Sequence, residues 1–377
     1  MTTRRSMLAL AGAVPFVACS ASPAQHGRIP DDLKPGGALD RFIAERAAAD
    51  AFSGTVLLTH RGRPVLHRWH GMANKQLSIP NGPDTIFALA SVTKLFTSVA
   101  IAQLAQRRRL SFQDKVGAHL PSFPAETADR VTIHHLLTHS SGLGDHHQSP
   151  GFWEQAATWT TVEQVMSGIT GIIREMRPAF VPGSASQYSN SGFHLLGEIV
   201  AAASGQSYYD YVRDNIFRPA GMASTGFYTR PQRRDDPRIA RPYAKQPSGD
   251  RVDIVDRGLF IGTPAGDALS TCADMQRFAA ALLGERLLDR SHTRIMLAPK
   301  FPLPASFTAF QAYGPIAAFP GGQLTLGHGG GSPGASTTLD TFPDSEWNVV
   351  MLSNYEMGTV QPPAAMARRL ITSPTKA

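Results

Sequence analysis

Cysteine is nearly absent from this sequence. Two occur in 377 residues, Cys19 and Cys272. Cys19 falls in an amino-terminal segment with the marks of a targeting signal. That leaves Cys272 alone and excludes an internal disulfide from the mature fold. A long apolar run is missing too. The stretch Met7–Ala18 is too short to span a bilayer and is interrupted by Gly12 and Pro15. Nothing later looks transmembrane. Charge imbalance is modest: the net is +7, of which Arg4 and Arg5 supply two. No basic stripe is interleaved with aromatics, so a nucleic-acid partner is not expected. Arg107-Arg108-Arg109 and Arg233-Arg234 read as solvated surface. His134, His135, His139, His146 and His147 cluster, but no Glu accompanies His135 and His139 as in H-E-x-x-H. Neither a metal nor another cofactor is expected.

What is present is an ordinary globular composition, 42% hydrophobic and 17% charged, in a chain long enough for a sizeable core. The start, "MTTRRSMLALAGAVPFVACSAS", has a basic end, an apolar run and then small residues. Thr3–Leu8 resembles a twin-arginine export signal. Val17-Ala18-Cys19 resembles a lipobox, with Phe16 in place of the usual Leu. Two readings stay open: acylation of Cys19 as a lipid anchor, or simple cleavage after small residues. Residues 1–19 are thus an expected bacterial export signal, giving a periplasmic or membrane-anchored protein, and the Pro-, Gly- and Ser-rich residues 20–36 an expected loose tether.

Strand signals open the chain body and close it. "GTVLLTHRGRPVLHRWHG" predicts a hairpin around Arg61-Gly62-Arg63-Pro64. Near the end, 312–319, 323–327, 335–340 and 348–353 predict closely spaced antiparallel strands. Helical periodicity marks 92–106, and helical patches at 133–139, 162–176, 193–203 and 208–217 fill the middle. Thr271 and Asp274 give a capping pattern before a helix carrying Cys272, which reads as a packing residue. A last helix is expected over 363–371. The class is α/β (α+β): one antiparallel sheet with helices on its faces, formed by residues 37–110 and 261–377, with 111–260 a mainly helical insertion. A cleft should form where the two meet.

The stretch "LGHGGGSPGAS" (326–336) matches three motifs, and each fails. In G-x-S-x-G the residue after Ser332 should donate its N–H and open a helix, but it is Pro333 and a β-rich run follows. The His328-Gly-Gly-Gly match overlaps its serine instead of preceding it. The dinucleotide fingerprint lacks its helix. A Gly-rich hairpin turn with His328 at its entrance remains. A better nucleophile is Ser91. Lys94 stands three residues later, on the same face of one helical turn, within the apolar run "FALASVTKLFTSVAIAQLAQ". A serine needs a nearby base, and a lysine held in apolar surroundings can serve.

Ser91-Val92-Thr93-Lys94, Tyr188-Ser189-Asn190 and His328-Gly329-Gly330 stand in order. With "VTIHHLLTHSSGL", "FVPGSASQYSNSGFHLLGEIV" and "GDALSTCADMQRFAAAL", the chain from about 40 to 355 resembles the serine penicillin-recognising enzymes. These include class C β-lactamases, D-Ala-D-Ala carboxypeptidases, D-amino-acid peptidases and family VIII esterases. The resemblance implies a helix-flanked sheet with a helical insertion and a site between them. It implies Ser91 as nucleophile of an acyl-enzyme, with Lys94 and Tyr188 sharing the proton transfers. Asn190 would orient the substrate carbonyl side. The backbone N–H groups of Ser91 and Gly331 would form the oxyanion hole. His328 would lie opposite Lys94 on an edge strand that Gly329, Gly330 and Gly331 leave bare for a small-molecule or peptide substrate. Where class C β-lactamases carry Lys-Thr-Gly, this chain has His328, a weaker anchor for a carboxylate. That leans toward ester or D-amino-acid peptide substrates over β-lactams. A non-catalytic binding module is the rival.

Overall fold

The computed structural model describes residues 29–303, 306 and 308–373. The expected export signal, with Cys19, lies outside the described residues. Strands β1 (Gly54–His60) and β2 (Arg63–His70) pair antiparallel. Arg61 and Gly62 link them at φ 53° and 72°, the two left-handed positions a two-residue type I′ turn requires. The turn is shorter than expected: Arg63 and Pro64 already belong to β2. Proline is tolerated there because β2 is an edge strand.

The remaining strands of the sheet are β3 (Phe301–Pro302), β4 (Ala309–Gln311), β5 (Ile316–Ala318), β6 (Thr325–Ser332), β7 (Ala335–Phe342) and β8 (Trp347–Ser353). They form an eight-stranded sheet in the order β2-β1-β8-β7-β6-β5-β4-β3. The two ends of the chain meet where β1 pairs with β8, Gly54 opposite Ser353. Of the strand expected over 312–319 only Ile316–Ala318 forms; residues 312–315, with Gly314 at φ 99°, turn the chain from β4 into β5. The strand expected to stop at Gly327 runs on through the glycines to Ser332. The Gly-rich segment is therefore mostly strand, and only Pro333-Gly334 is turn.

Helices α1 (Ala38–Ala48), α2 (Lys94–Gln106), α6 (Cys272–Leu283) and α7 (Gln361–Thr372) pack around this sheet, while α3 (Ile133–Leu137), α4 (Val162–Arg174) and α5 (Asn190–Ser204) pack on one another and, through α5, on α2. Alternation along the strands sorts two cores. Val56, Leu58, Val349 and Met351 face α1 and α7. Leu57, Val350 and Leu352 face α2 and α6. The second core continues without a break into α3, α4 and α5, through residues such as Leu136, Ile169 and Leu195. α2 is buried on every side from Lys94 to Leu104, as befits a helix at the centre of a core. Thr271 caps α6 by accepting from the Asp274 N–H at 3.1 Å, as the sequence predicts, and Cys272 is buried. The tether expected over 20–36 is not loose at its described end. Asp31–Leu33 form a 3₁₀ turn, and Leu33 is fully buried against Leu39 and Ile43.

Candidate active site

A short antiparallel bridge, Phe87–Ala88 with Leu269–Ser270, delivers the chain to Ser91. Ala90 then takes φ 44°, left-handed backbone that a residue with a Cβ rarely adopts. A single 3₁₀ turn, Ala90–Thr93, leads into α2. Ser91 lies in that turn and Lys94 is the first residue of α2. Lys94 is fully buried. Its Nζ donates to Ser91 Oγ at 3.2 Å, Asn190 Oδ1 at 2.7 Å and the Ala265 carbonyl at 2.5 Å. Three acceptors therefore surround the buried nitrogen. The rings of Tyr188 and Phe193 lie 4.8 and 5.5 Å from it.

Tyr188 comes from the loop before α5. Its hydroxyl donates to Ser91 Oγ at 2.6 Å. Its ring lies against His139, centroids 4.6 Å apart, while its outer side stays exposed. His139 sits at φ 55° just past α3, and its Nδ1 accepts from the Ser189 N–H at 3.2 Å. Burial first, then Lys94 and His328, hold His139 well below the usual histidine pKa, so the ring is neutral. The histidines grouped in the sequence have separate partners. His134 bonds Tyr313, His135 caps α3 with Thr132, and His146 bonds Ser191.

Asn190, expected to orient the substrate, lines the cleft. Both ends of its amide are engaged. Oδ1 accepts from Lys94, while Nδ2 donates to Asp145 Oδ2 at 2.7 Å and to His147 Nδ1 at 3.3 Å. It borders the cleft and also acts on Lys94. Asp145 and His147, which the sequence reading did not single out as site residues, complete this chain of bonds. Their only signal was the segment "GLGDHH" closing a family-like stretch.

On the opposite wall runs β6. Its neighbour β5 pairs only with Thr325–Gly327, so β6 is interior to the sheet at first and becomes an edge from His328 onward. The expected edge strand is an edge only over the residues that matter. The turn Pro333-Gly334, with Gly334 at φ 73°, makes Ser332 and Ala335 a hydrogen-bonded pair. Bonded and non-bonded pairs alternate, so Gly331, opposite Ser336, belongs to a non-bonded pair. Its N–H points out of the hairpin into the open edge. Gly330 has a different function from baring the strand: a Cβ there would meet Leu89 O at 2.4 Å and Ser91 N at 3.1 Å. It lets β6 press against the Ser91 turn. His328 is buried, its Nδ1 donating to Gly329 O at 2.6 Å. Burial and then Lys94 push its pKa down to about 4, so it is neutral at pH 7.

Between these walls lies a cleft of about 430 Å³, bordered by Ser91, His147, Trp153, Asn190, Arg233 and Asp267 among others. Trp153 is exposed and stacks on His147, whereas Phe152 and Trp159 are buried packing residues. A half-buried serine hydroxyl, held by a lysine and a tyrosine and facing an outward backbone N–H, is the arrangement of a serine acyl-transfer enzyme.

The comparisons agree. The beta-lactamase family model matches residues 39–372. A penicillin-binding protein of Bacillus subtilis strain 168 is 31% identical over 326 residues, 82% of this chain and 69% of that protein. Esterase EstB of Burkholderia gladioli is 32% identical over 222 residues, 54% of this chain and 52% of its own. The crystal structure of a penicillin-binding protein from Bacillus halodurans aligns with a TM-score of 0.77 and 28% identity, covering 86% of this chain and 99% of that one. The D-amino acid amidase of Ochrobactrum anthropi SV3 shares the fold, with a TM-score of 0.73 at 24% identity over 89% of this chain and 98% of its own. The chain belongs to the beta-lactamase family, a family of serine hydrolases. No helix among the described residues is long and apolar enough to cross a membrane.

Proposed function

We propose that this protein is an exported, periplasmic or lipid-anchored hydrolase that cleaves esters or amides through an acyl-enzyme on Ser91. The observation that carries this reading is the convergence of Lys94 Nζ and Tyr188 Oη on Ser91 Oγ, at 3.2 and 2.6 Å. Ser91 Oγ attacks the acyl carbon with the Lys94–Tyr188 pair one proton short, as a neutral amine or a phenolate, and that pair takes up the hydroxyl proton. The carbonyl oxygen gains charge, which the N–H groups of Ser91 and Gly331 stabilise. The bond to the leaving group breaks as the pair returns the proton to it. Water then attacks the acyl-enzyme and releases the acid. Asn190, tied to Asp145, holds the Lys94 side chain in register.

Esters and amides are favoured over β-lactams by His328. A neutral ring offers no charge to a β-lactam carboxylate where Lys-Thr-Gly enzymes place a lysine. The name of the esterase relative points the same way. Side-by-side turnover of p-nitrophenyl butyrate, a D-alanyl amide and nitrocefin tests the reading. Ester or amide turnover that Ser91→Ala abolishes supports it. Equal turnover by Ser91→Ala contradicts it.

A further inference from the structure

Residues 230–241 carry five arginines. Four have acceptors in the fold. Arg230 donates to the Gly258 carbonyl at 2.8 Å, Arg238 to Asp236 at 2.6 Å and Arg241 to the Arg234 carbonyl at 2.6 Å, while Arg234 pairs with Asp256. Arg233 is different. Among the described residues its guanidinium has neither a hydrogen-bond acceptor nor an ion-pair partner. Its nitrogens are not sealed from solvent either, because it borders the cleft that contains Ser91. It is therefore cleft wall, not the plain solvated surface its sequence suggests.

The charges around it set what it can bind. Asp267 borders the same cleft and favours the guanidinium charge, but it does not come within ion-pair distance. Burial acts against that charge more strongly than Asp267 supports it. Arg257 stands at the same wall, exposed and unpaired among the described residues. The wall thus carries two cations and one anion, set among apolar Pro242, Ile254 and Pro333. A partly desolvated guanidinium with a free donor fork suits a carboxylate, which it can hold by two parallel bonds. The neutral His328 leaves this charge role vacant on the β6 side.

We propose that Arg233 is the specificity-determining residue of the cleft, selecting esters or amides that end in a carboxylate on a short apolar stem. This rests on the hydrolase reading above. A charge-assisted bidentate contact is worth about 1.5–3 kcal/mol, roughly 10- to 100-fold in kcat/KM.

The test compares kcat/KM, from acid release, for three ethyl esters of matched length: the hemisuccinate, anionic; the butyrate, neutral; and the 4-aminobutyrate, cationic. The full chain and its Arg233→Gln and Arg233→Lys variants are measured at low and at about 0.5 M salt. The wild type should prefer the hemisuccinate over the butyrate at least about tenfold, and salt should reduce that ratio. Arg233→Gln should bring the ratio to within about twofold of one, chiefly through KM, and Arg233→Lys should fall between, since it keeps the charge without the fork. The guanidinium holds no part of the fold, so melting temperatures should match. A wild-type ratio near one, a ratio unmoved by Arg233→Gln, or a preference for the cationic ester, which would point to Asp267, overturns the assignment while leaving the hydrolase intact. Turnover of none of the three esters overturns the assignment, and if the D-alanyl amide is also left intact the hydrolase reading falls with it.

Discussion

Tyr188 Oη lies 2.6 Å from Ser91 Oγ while the Tyr188 ring rests on the buried, neutral His139. The phenol is thereby aimed at the serine by a stack that does not depend on its hydroxyl. Tyr188→Phe should keep the ring in place and remove only the proton-transfer group. We expect kcat to fall about 10²- to 10⁴-fold, with a melting temperature within about 2 °C of the parent. Ester kinetics and a thermal melt on the same preparation check both halves.

Lys94 owes its position to Asn190, which in turn is tied to Asp145. Asn190→Ala strips a buried ammonium of one acceptor and should cost about 1–3 kcal/mol of stability, together with at least tenfold in kcat. Asp145→Asn leaves Asn190 in place and should lower kcat with a smaller stability change. Denaturant titration alongside turnover separates the two.

Gly329 and Gly330 are neighbours with opposite tolerance. A Cβ at Gly330 would meet Thr337 Oγ1 at 2.3 Å and Leu89 O at 2.4 Å, whereas one at Gly329 finds nothing nearer than 3.9 Å. Gly330→Ala must push β6 away from the Ser91 turn, at about 1–3 kcal/mol and with a large loss of activity. Gly329→Ala should alter stability by less than about 0.5 kcal/mol. Matched urea melts of the two variants decide it.

Stability should fall on mild acidification. His139, His146, His194 and His328 are buried and neutral, with His328 at about 4 and His194 at about 3. Below pH 6.5 the unfolded chain binds protons that the folded chain refuses. The contribution is therefore complete above pH 6.5 and is lost as pH falls toward 4 and 3, each site adding about 1.4 kcal/mol per pH unit. Asp340 and Glu198, held above the usual carboxylate range by burial, act in the opposite sense. They are two against four. Melting temperatures should change little from pH 7.5 to about 6.5 and decline from there to pH 4; a flat profile below pH 6.5 contradicts the assignment.

The sheet and most helices were legible because their patterns are local. The apolar and β-branched run along Gly54–His60, the Thr271 cap and the continuous burial of α2 each follow from neighbouring residues. Ser91, Lys94 and Tyr188 were legible through spacing and family resemblance. What was not legible depends on which loop packs against which. Asn190 was expected to face substrate; that it also joins Lys94 to Asp145, partners distant in sequence, was not legible. Gly330 was expected to bare a strand, yet it admits the Ser91 turn. Arg233 read as surface because nothing in "RPQRRD" distinguishes it from Arg230 or Arg234; only the fold leaves it unpaired at the cleft.

The most direct measurement of the central claim is intact mass, with peptide mapping, after incubation with a fluorophosphonate. One adduct per chain, on the peptide carrying Ser91, absent from Ser91→Ala and slowed by Tyr188→Phe, is the expected result. An unmodified wild-type protein, or an adduct that persists in Ser91→Ala, would contradict the assignment of Ser91 as the nucleophile.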